Sequence, residues 1–490
     1  MKAIKNIMIA LSGIALLASC DMDKFFELDR PESNPWLSVD DLEYSVADPY
    51  NTLFQNPNWQ APIGIIPYYQ ELVADLSTVN PQGAYEQEAL YWYPRQMSTF
   101  DVTGQQFEKT FSILYRSVTG ATSPLTYIEE KEKKGEPVFA NMTENDKKTL
   151  ARQTGELYFM RGYTYWLISR AFVAPYDPAG GEGNNRKFIP LINRLDYSQE
   201  SARNPYMGTV KEVYDQMLSD FAKAKSLMPE DYFVRGRANK FSAAMMLMRV
   251  KWLMGDKDGA LEEADYVITK AEAGVAPFDL TEEPIVAFNR NAEQQYTVDP
   301  VSKEVMFECA FTESNQGNNV AIPLARMCKT GIYNFKSKTF DASNKLWLEG
   351  ARGSQNWQHG GWACAYWNPR LIKYIGWAVT DDPMDLTNYV PSAEALADKR
   401  FTQLHYFLKN YTDGGDKTIH EMAYNKTKWN AFWNDKYYRA PYGKYSQVPL
   451  IRLAEAYLTR ATLVLSKNAS QALGDVNKIC LLYTSPSPRD

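Results

Sequence analysis

Histidine is scarce and cysteine nearly so: the 490 residues hold 3 His and 5 Cys. His359, His405 and His420 form no H-E-x-x-H motif and no close pair, and no two Cys stand at zinc-ribbon spacing. A zinc site of either kind is therefore not encoded, and these His read as surface or satisfied core residues. With Cys20 and Cys480 set aside, Cys309, Cys328 and Cys364 are odd in number and far apart. At most one disulfide joins them, which excludes a disulfide framework. Positive charge is not in excess: 53 Lys and Arg stand against 59 acids, net −6. That balance, without basic blocks, argues against binding to nucleic-acid phosphates. Beyond the N-terminus no apolar run is long enough for a spanning helix, which excludes a polytopic helical membrane protein.

Catalytic motifs are missing too. Gly353-Ser354 lacks the Gly-x-Ser-x-Gly frame of a nucleophile elbow. Gly180-Gly181-Glu182-Gly183 lacks the Gly-Lys-Ser/Thr ending of a phosphate loop. Carboxylates are plentiful, but no pair stands out for glycoside hydrolysis. Asp413-Gly414-Gly415-Asp416 reads as a turn rather than a calcium loop. The chain is expected to be no enzyme and to hold no cofactor and no metal. A glycoside hydrolase stays as the weaker alternative.

What is present is a globular composition, 45% hydrophobic and 23% charged, with aromatics at 13% and Tyr (32) foremost. The length suits one large domain or two to three ordinary ones. Residues 1–19 read as a secretory leader: Lys2 and Lys5 precede the apolar run Ile7 to Ser19. Leu17-Ala18-Ser19-Cys20 resembles a bacterial lipobox, in which the Cys is acylated; an ordinary signal peptide is the other reading. More than one acyl chain would give stable anchoring. Asp21-Met22-Asp23-Lys24 resembles the surface-export signal of Bacteroidetes lipoproteins.

Several segments carry helical periodicity. One runs from about Gln105 to Glu130, followed by a polar stretch from Lys131 to Asn141. Thr143, with Asp146 three residues on, caps a long helix that ends before Pro175. A third helix spans about Val210 to Leu227 and stops at Pro229. Asn239 to Met254 and Asp258 to Ala271 form a hairpin about Gly255-Asp256. Its Ala260, Ala264 and Val267 fall on the small-residue spacing of a tetratricopeptide (TPR) unit. A similar pair is expected at Leu450 to Leu465 and Ser470 to Ile479.

From about 274 to 447 the texture is loop-rich, with short strand-like runs such as Glu304 to Phe311. The fold class is thus mainly α: a TPR-like helical scaffold, about 40–273 and 449–479, carrying a large loop-rich aromatic region. Rings with polar tips suit sugars, whose flat C–H faces stack on them. Tyr91, Trp92 and Tyr93 form one local cluster; Trp357, Trp362, Tyr366 and Trp367 form another. These are the candidate ligand-binding residues, and the alternative is that they fill the core. Trp166 and Trp252, inside helical stripes, read as core.

Taken in order, these pieces resemble the SusD/RagB family of nutrient-binding outer-membrane lipoproteins. Cys20-Asp21 with Leu28-Asp29-Arg30-Pro31 is similar to the family's start. Glu156-Leu157-Tyr158-Phe159-Met160-Arg161-Gly162-Tyr163 is similar to its Glu-Ala-x-x-Leu-Arg-Ala-Tyr helix, with Leu157 and Gly162 in place of alanines. Tyr214 through Pro229, Gly236-Arg237 with Lys240, Glu304-Val305-Met306-Phe307, Asp398-Lys399-Arg400 and Arg452-Leu453-Ala454-Glu455 continue the match. The resemblance implies a lipid-anchored protein at the surface of the outer membrane, without catalytic activity. It implies an oligosaccharide or polysaccharide ligand, or a peptide, passed to a SusC-like TonB-dependent transporter. A TPR-type assembly lipoprotein is the alternative, and no nucleic-acid partner is expected. Residues 480–490 depart from the family and look like a non-native tail, so the chain reads as C-terminally truncated, with its last helix ending near Ile479.

Overall fold

The structure, a computed structural model, describes residues 36–54, 62–79, 104–288, 302–310, 365–412, 429–436 and 448–483, apart from 75, 197, 283, 285, 383, 386, 387 and 435, with short strands at 333–334, 339–340 and 348–351. Its longer helices are α1 (Val39–Phe54), α2 (Pro62–Val73), α3 (Gly104–Lys134), α4 (Glu144–Phe172), α5 (Val210–Leu227), α6 (Lys240–Leu253), α7 (Lys257–Glu272), α8 (Leu453–Val464) and α9 (Ala469–Tyr483). Strands that matter below are β1 (Ser77–Val79), β2 (Val305–Cys309), β3 (Leu348–Ala351), β4 (Ala365–Trp367), β5 (His405–Thr412), β6 (Trp429–Asn434) and β7 (Val448–Arg452). Among the described residues, no helix is long and apolar enough to cross a membrane.

Short polar side chains set where helices begin, because they take up amides that the first turn leaves unpaired. Thr143 and Asp146 form a reciprocal capping box at α4, and Thr209 and Glu212 do the same at α5. Asn239 accepts from the Phe241 and Ser242 amides to open α6. The α6–α7 turn needs Gly255 at φ +84°, where a Cβ would lie 2.7 Å from Pro178. That contact also ties the 173–186 connection to the hairpin.

Helix α4 lies at the centre, with nearly every residue from Gln153 to Ser169 buried. It packs against α1, α3 and α5. Gly155 and Gly162, two turns apart, let α5 approach. A Cβ on Gly155 would lie 2.7 Å from Met228 Cγ, and one on Gly162 would lie 3.0 Å from the Phe221 ring. Gly162 thus stands where the family resemblance led one to expect alanine, and the helices sit closer for it. Buried apolar side chains such as Leu157, Phe159 and Phe221 each contribute about 1.5–3 kcal/mol to this core.

The hairpin of α6 and α7 continues the same layer, and α8 and α9 follow. Ala260, Ala264 and Val267 are fully buried, as the TPR spacing requires. Three sequence expectations need correction here. Leu450 to Arg452 is not helical: it belongs to β7, which pairs antiparallel with β2, and α8 starts at Leu453. The run Val448–Arg452 is apolar without a period, and its partner strand lies far away in sequence. The last helix passes Ile479 and reaches Tyr483, since Cys480-Leu481-Leu482-Tyr483 suits a helix and the first proline comes only at Pro486. Trp252 is also not core: it is 36% exposed at the end of α6. Trp166 is half-buried beneath the Arg170 guanidinium, 4.6 Å from its ring.

Buried charge joins the layers. Arg161 pairs with Asp220 between α4 and α5. Glu156, fully buried, accepts from Tyr50 (2.9 Å), Arg237 (2.6 Å) and Arg152. Glu43 on α1 accepts from Arg152 (2.8 Å), Arg237 (2.5 Å) and Gln153 (2.7 Å). Burial pushes the Glu43 carboxyl up, but those bonds and the two guanidinium charges outweigh it and hold it below 4.5. Arg249 grips Glu455 with two bonds of 2.6 Å, and Arg452 reaches Glu304 at 2.6 Å. Arg161, Arg237, Glu304, Arg452 and Glu455 all lie in the segments that carry the family resemblance. Each pairs with a partner inside the scaffold.

Candidate functional site

A second, smaller core lies apart from the helical one and is built from the 365–432 region. Its buried members are Ile372, Ala378, Tyr389, Ala395, Phe401 and Phe432, with Trp367, Trp377 and Val390 packed on it. Strand β4 brings in the candidate rings. It pairs antiparallel with β1, placing Ser77 opposite Trp367 and Thr78 opposite Tyr366. Successive strand residues point to opposite faces. Tyr366 turns inward and is 1% exposed, whereas Trp367 is only half-buried. Directly after β4, Asn368 caps a short helix, Pro369–Tyr374, by accepting from the Arg370 amide at 3.0 Å.

His405 is the hub of this cluster. Its ring lies 5.0 Å from that of Trp367 and 5.1 Å from that of Trp377, both edge-to-face, and it stacks on Phe401 at 5.9 Å. Its Nδ1 lies 3.0 Å from the Arg400 carbonyl oxygen, which can only accept, so the proton sits on Nδ1. Trp367 and Trp377 are 6.4 Å apart at 50°. Tyr389 stacks on Phe432 at 5.5 Å and 9° behind them. The short helix ends in Tyr374, whose ring is 89% exposed.

One carboxyl adjoins the cluster. Ser77, opposite Trp367, lies 3.5 Å from Glu71 Oε2 near the end of α2. Burial pushes the Glu71 carboxyl up, against the opposing effects of the Lys436 charge and the Ser77 bond. Half-exposed indoles held by neighbouring rings can cover a flat apolar face, and the adjacent carboxyl can accept from hydroxyls. Among the described residues, no group of three or more His, Cys, Asp or Glu is placed to hold a metal ion.

Of the residues singled out from sequence, Trp367 packs on this cluster, whereas its strand neighbour Tyr366 is buried but is not one of its members. Tyr91, Trp92, Tyr93, Trp357 and Trp362 lie outside the described residues, as do Cys20, His359, His420 and the 413–416 turn. Trp377, Phe401 and His405 were not singled out as a group. Only their shared packing links them, and no spacing rule points from one to the next.

Comparison with known proteins bears on the whole arrangement. Residues 55–251 match the SusD-like family model described as starch-binding associating with outer membrane. SusD-like protein P2 of Formosa agariphila is 25% identical over 348 residues, which is 69% of this chain and 57% of that protein. The chain therefore spans little more than half the length of this curated relative. The crystal structure of a SusD superfamily protein from Bacteroides thetaiotaomicron superposes with a TM-score of 0.59 at 18% identity, over 92% of this chain and 81% of that one. That of a SusD-like carbohydrate binding protein from Bacteroides vulgatus gives 0.59 at 15% identity, over 92% and 77%. At such identities the superpositions establish a shared fold.

Proposed function

We propose that this chain, whose residues 55–251 match the SusD-like family model, captures carbohydrate outside the cell and releases it chemically unaltered to a SusC-like TonB-dependent transporter. The observation that carries this reading is the pair of half-exposed indoles, Trp367 and Trp377, braced by His405 on a small core outside the helical scaffold. Their ring faces would stack on sugar C–H surfaces. Trp367 is the described candidate for direct contact. Tyr366, next to it on β4, is buried, and Tyr91, Trp92, Tyr93, Trp357 and Trp362 complete the candidate set chosen from sequence. Acylation at Cys20 would hold the protein on the outer membrane, facing outward. Supporting the carbohydrate reading are the description of the family model and the name of the Bacteroides vulgatus structure.

The test is a glycan array followed by titration calorimetry on protein beginning after Cys20. At least one oligosaccharide should bind, and Trp367→Ala should weaken it at least tenfold without a comparable loss of thermal stability. If no carbohydrate binds, the ligand assignment fails. If reducing sugar appears on incubation with polysaccharide, the non-catalytic reading fails.

A further inference from the structure

A cleft of about 260 Å³ opens between the 233–239 segment, Pro277-Phe278 and residues 302–308. It shares no lining residue with the Trp367 cluster. Phe233 at its mouth is 36% exposed, yet its ring is not loose. It stacks on Phe241 at 5.9 Å and 16°, and meets Phe278 edge-on at 5.5 Å and 84°. Val234, 50% exposed, extends the same apolar wall. An aromatic surface held rigid while partly in water has little conformational freedom left to lose when a ligand covers it.

The charges around the wall are mostly answered. Arg237 is committed to Glu156 and Glu43, and Arg235 Nε donates to Glu308 Oε1 at 2.5 Å. Lys303 is the exception: it is exposed and makes no ion pair among the described residues. Glu304, next along the chain, is buried and bonded to Arg452 and Thr281; Asp279 lies alongside, its amide donating to the Lys303 carbonyl at 3.1 Å and its carboxylate accepting from the Leu280 amide. Among the described residues, one cation without an ion pair thus lines the same cleft as one rigid ring. The volume falls just short of the roughly 300–1,000 Å³ of drug-sized pockets, which suits one ring rather than a chain of them.

We propose that this cleft binds a single-ring carboxylate, with the ring against Phe233 and Val234 and the carboxylate at Lys303. The class includes aromatic acids and acidic sugars, and the probes separate them. Benzoate and glucuronate serve as the anions and benzyl alcohol as the neutral ring, each titrated into the purified protein with NMR or calorimetric detection. At least one anion should bind saturably, and Lys303→Gln should weaken it about two- to fivefold, the worth of one exposed ion pair. That substitution should leave benzyl alcohol unaffected. Phe233→Ala should remove both anion and alcohol binding. Preference for benzoate assigns an aromatic acid, and preference for glucuronate assigns an acidic sugar. If neither anion binds, or if Lys303→Gln binds them as tightly as the parent, the proposal is wrong. Lys303 is exposed, so this variant keeps its fold even if Phe233→Ala does not. Trp367→Ala should leave these titrations unchanged, so this site and the carbohydrate reading stand or fall separately.

Discussion

Arg161 and Asp220 meet across the α4–α5 interface through two hydrogen bonds, Nε to Oδ2 at 2.9 Å and Nη2 to Oδ1 at 2.7 Å, with neither residue more than 2% exposed. Removing one partner strands a charge in the core. Asp220→Ala should therefore lower stability by about 3–5 kcal/mol in urea unfolding. Replacing both residues by apolar ones, Arg161→Met with Asp220→Leu, should cost much less. Equal losses from the single and double variants would show that packing, not stranded charge, sets the penalty.

Two carboxyls should respond to pH with opposite signs. Burial raises Glu71 above its ordinary 4.5, so its ionised form is the less stable one in the folded chain. Glu71→Gln should raise the melting temperature at neutral pH, and the gain should vanish below 4.5, where the carboxyl is protonated folded and unfolded alike.

Glu43 is held below 4.5, despite burial, by Gln153, Arg152 and Arg237. Its contribution is present above 4.5 and fades as pH falls through its lowered value. Glu43→Gln should thus destabilise at neutral pH and do so less in acid. Thermal melts across this range check both signs, and parallel curves for the two variants would contradict them.

The close approach of α4 and α5 makes a packing prediction. Gly155→Ala places a methyl 2.7 Å from Met228 Cγ and 3.3 Å from the Met228 amide nitrogen. It should destabilise by about 1–3 kcal/mol, more than the roughly 1 kcal/mol gained from helix propensity. Gly162→Ala meets its nearest atoms only at 3.0–3.1 Å and should cost less. Chemical denaturation of the two variants ranks them.

Membrane attachment can be tested without any ligand. If Cys20 carries the lipid, Cys20→Ala should move the protein from the membrane fraction to the soluble one, and metabolic labelling with a fatty acid should be lost. Retention of both would refute the tether.

Much of the helical scaffold was legible because its signals are local. Thr143 with Asp146, Pro229 just past α5 and the small residues of the hairpin all act within one or two turns of their own helix. β7 was misread because its strand identity depends on β2, far away in sequence. Trp252 was misread because α6 is buried over most of its length and emerges only at its end. Tyr366 and Trp367 looked equivalent as neighbours, and strand alternation sends them to opposite faces. The His405 cluster was illegible for a deeper reason: its rings come from separate segments that only the fold brings together.

The pairing of β2 with β7 has a consequence for how such a protein can change. Residues 310–447 leave the scaffold from the end of one strand and return on its hydrogen-bonded neighbour. Whatever lies between starts and finishes at a single clasp. Lengthening, shortening or swapping that stretch moves neither end of the clasp, so its outline can drift quickly over a frame that stays the same.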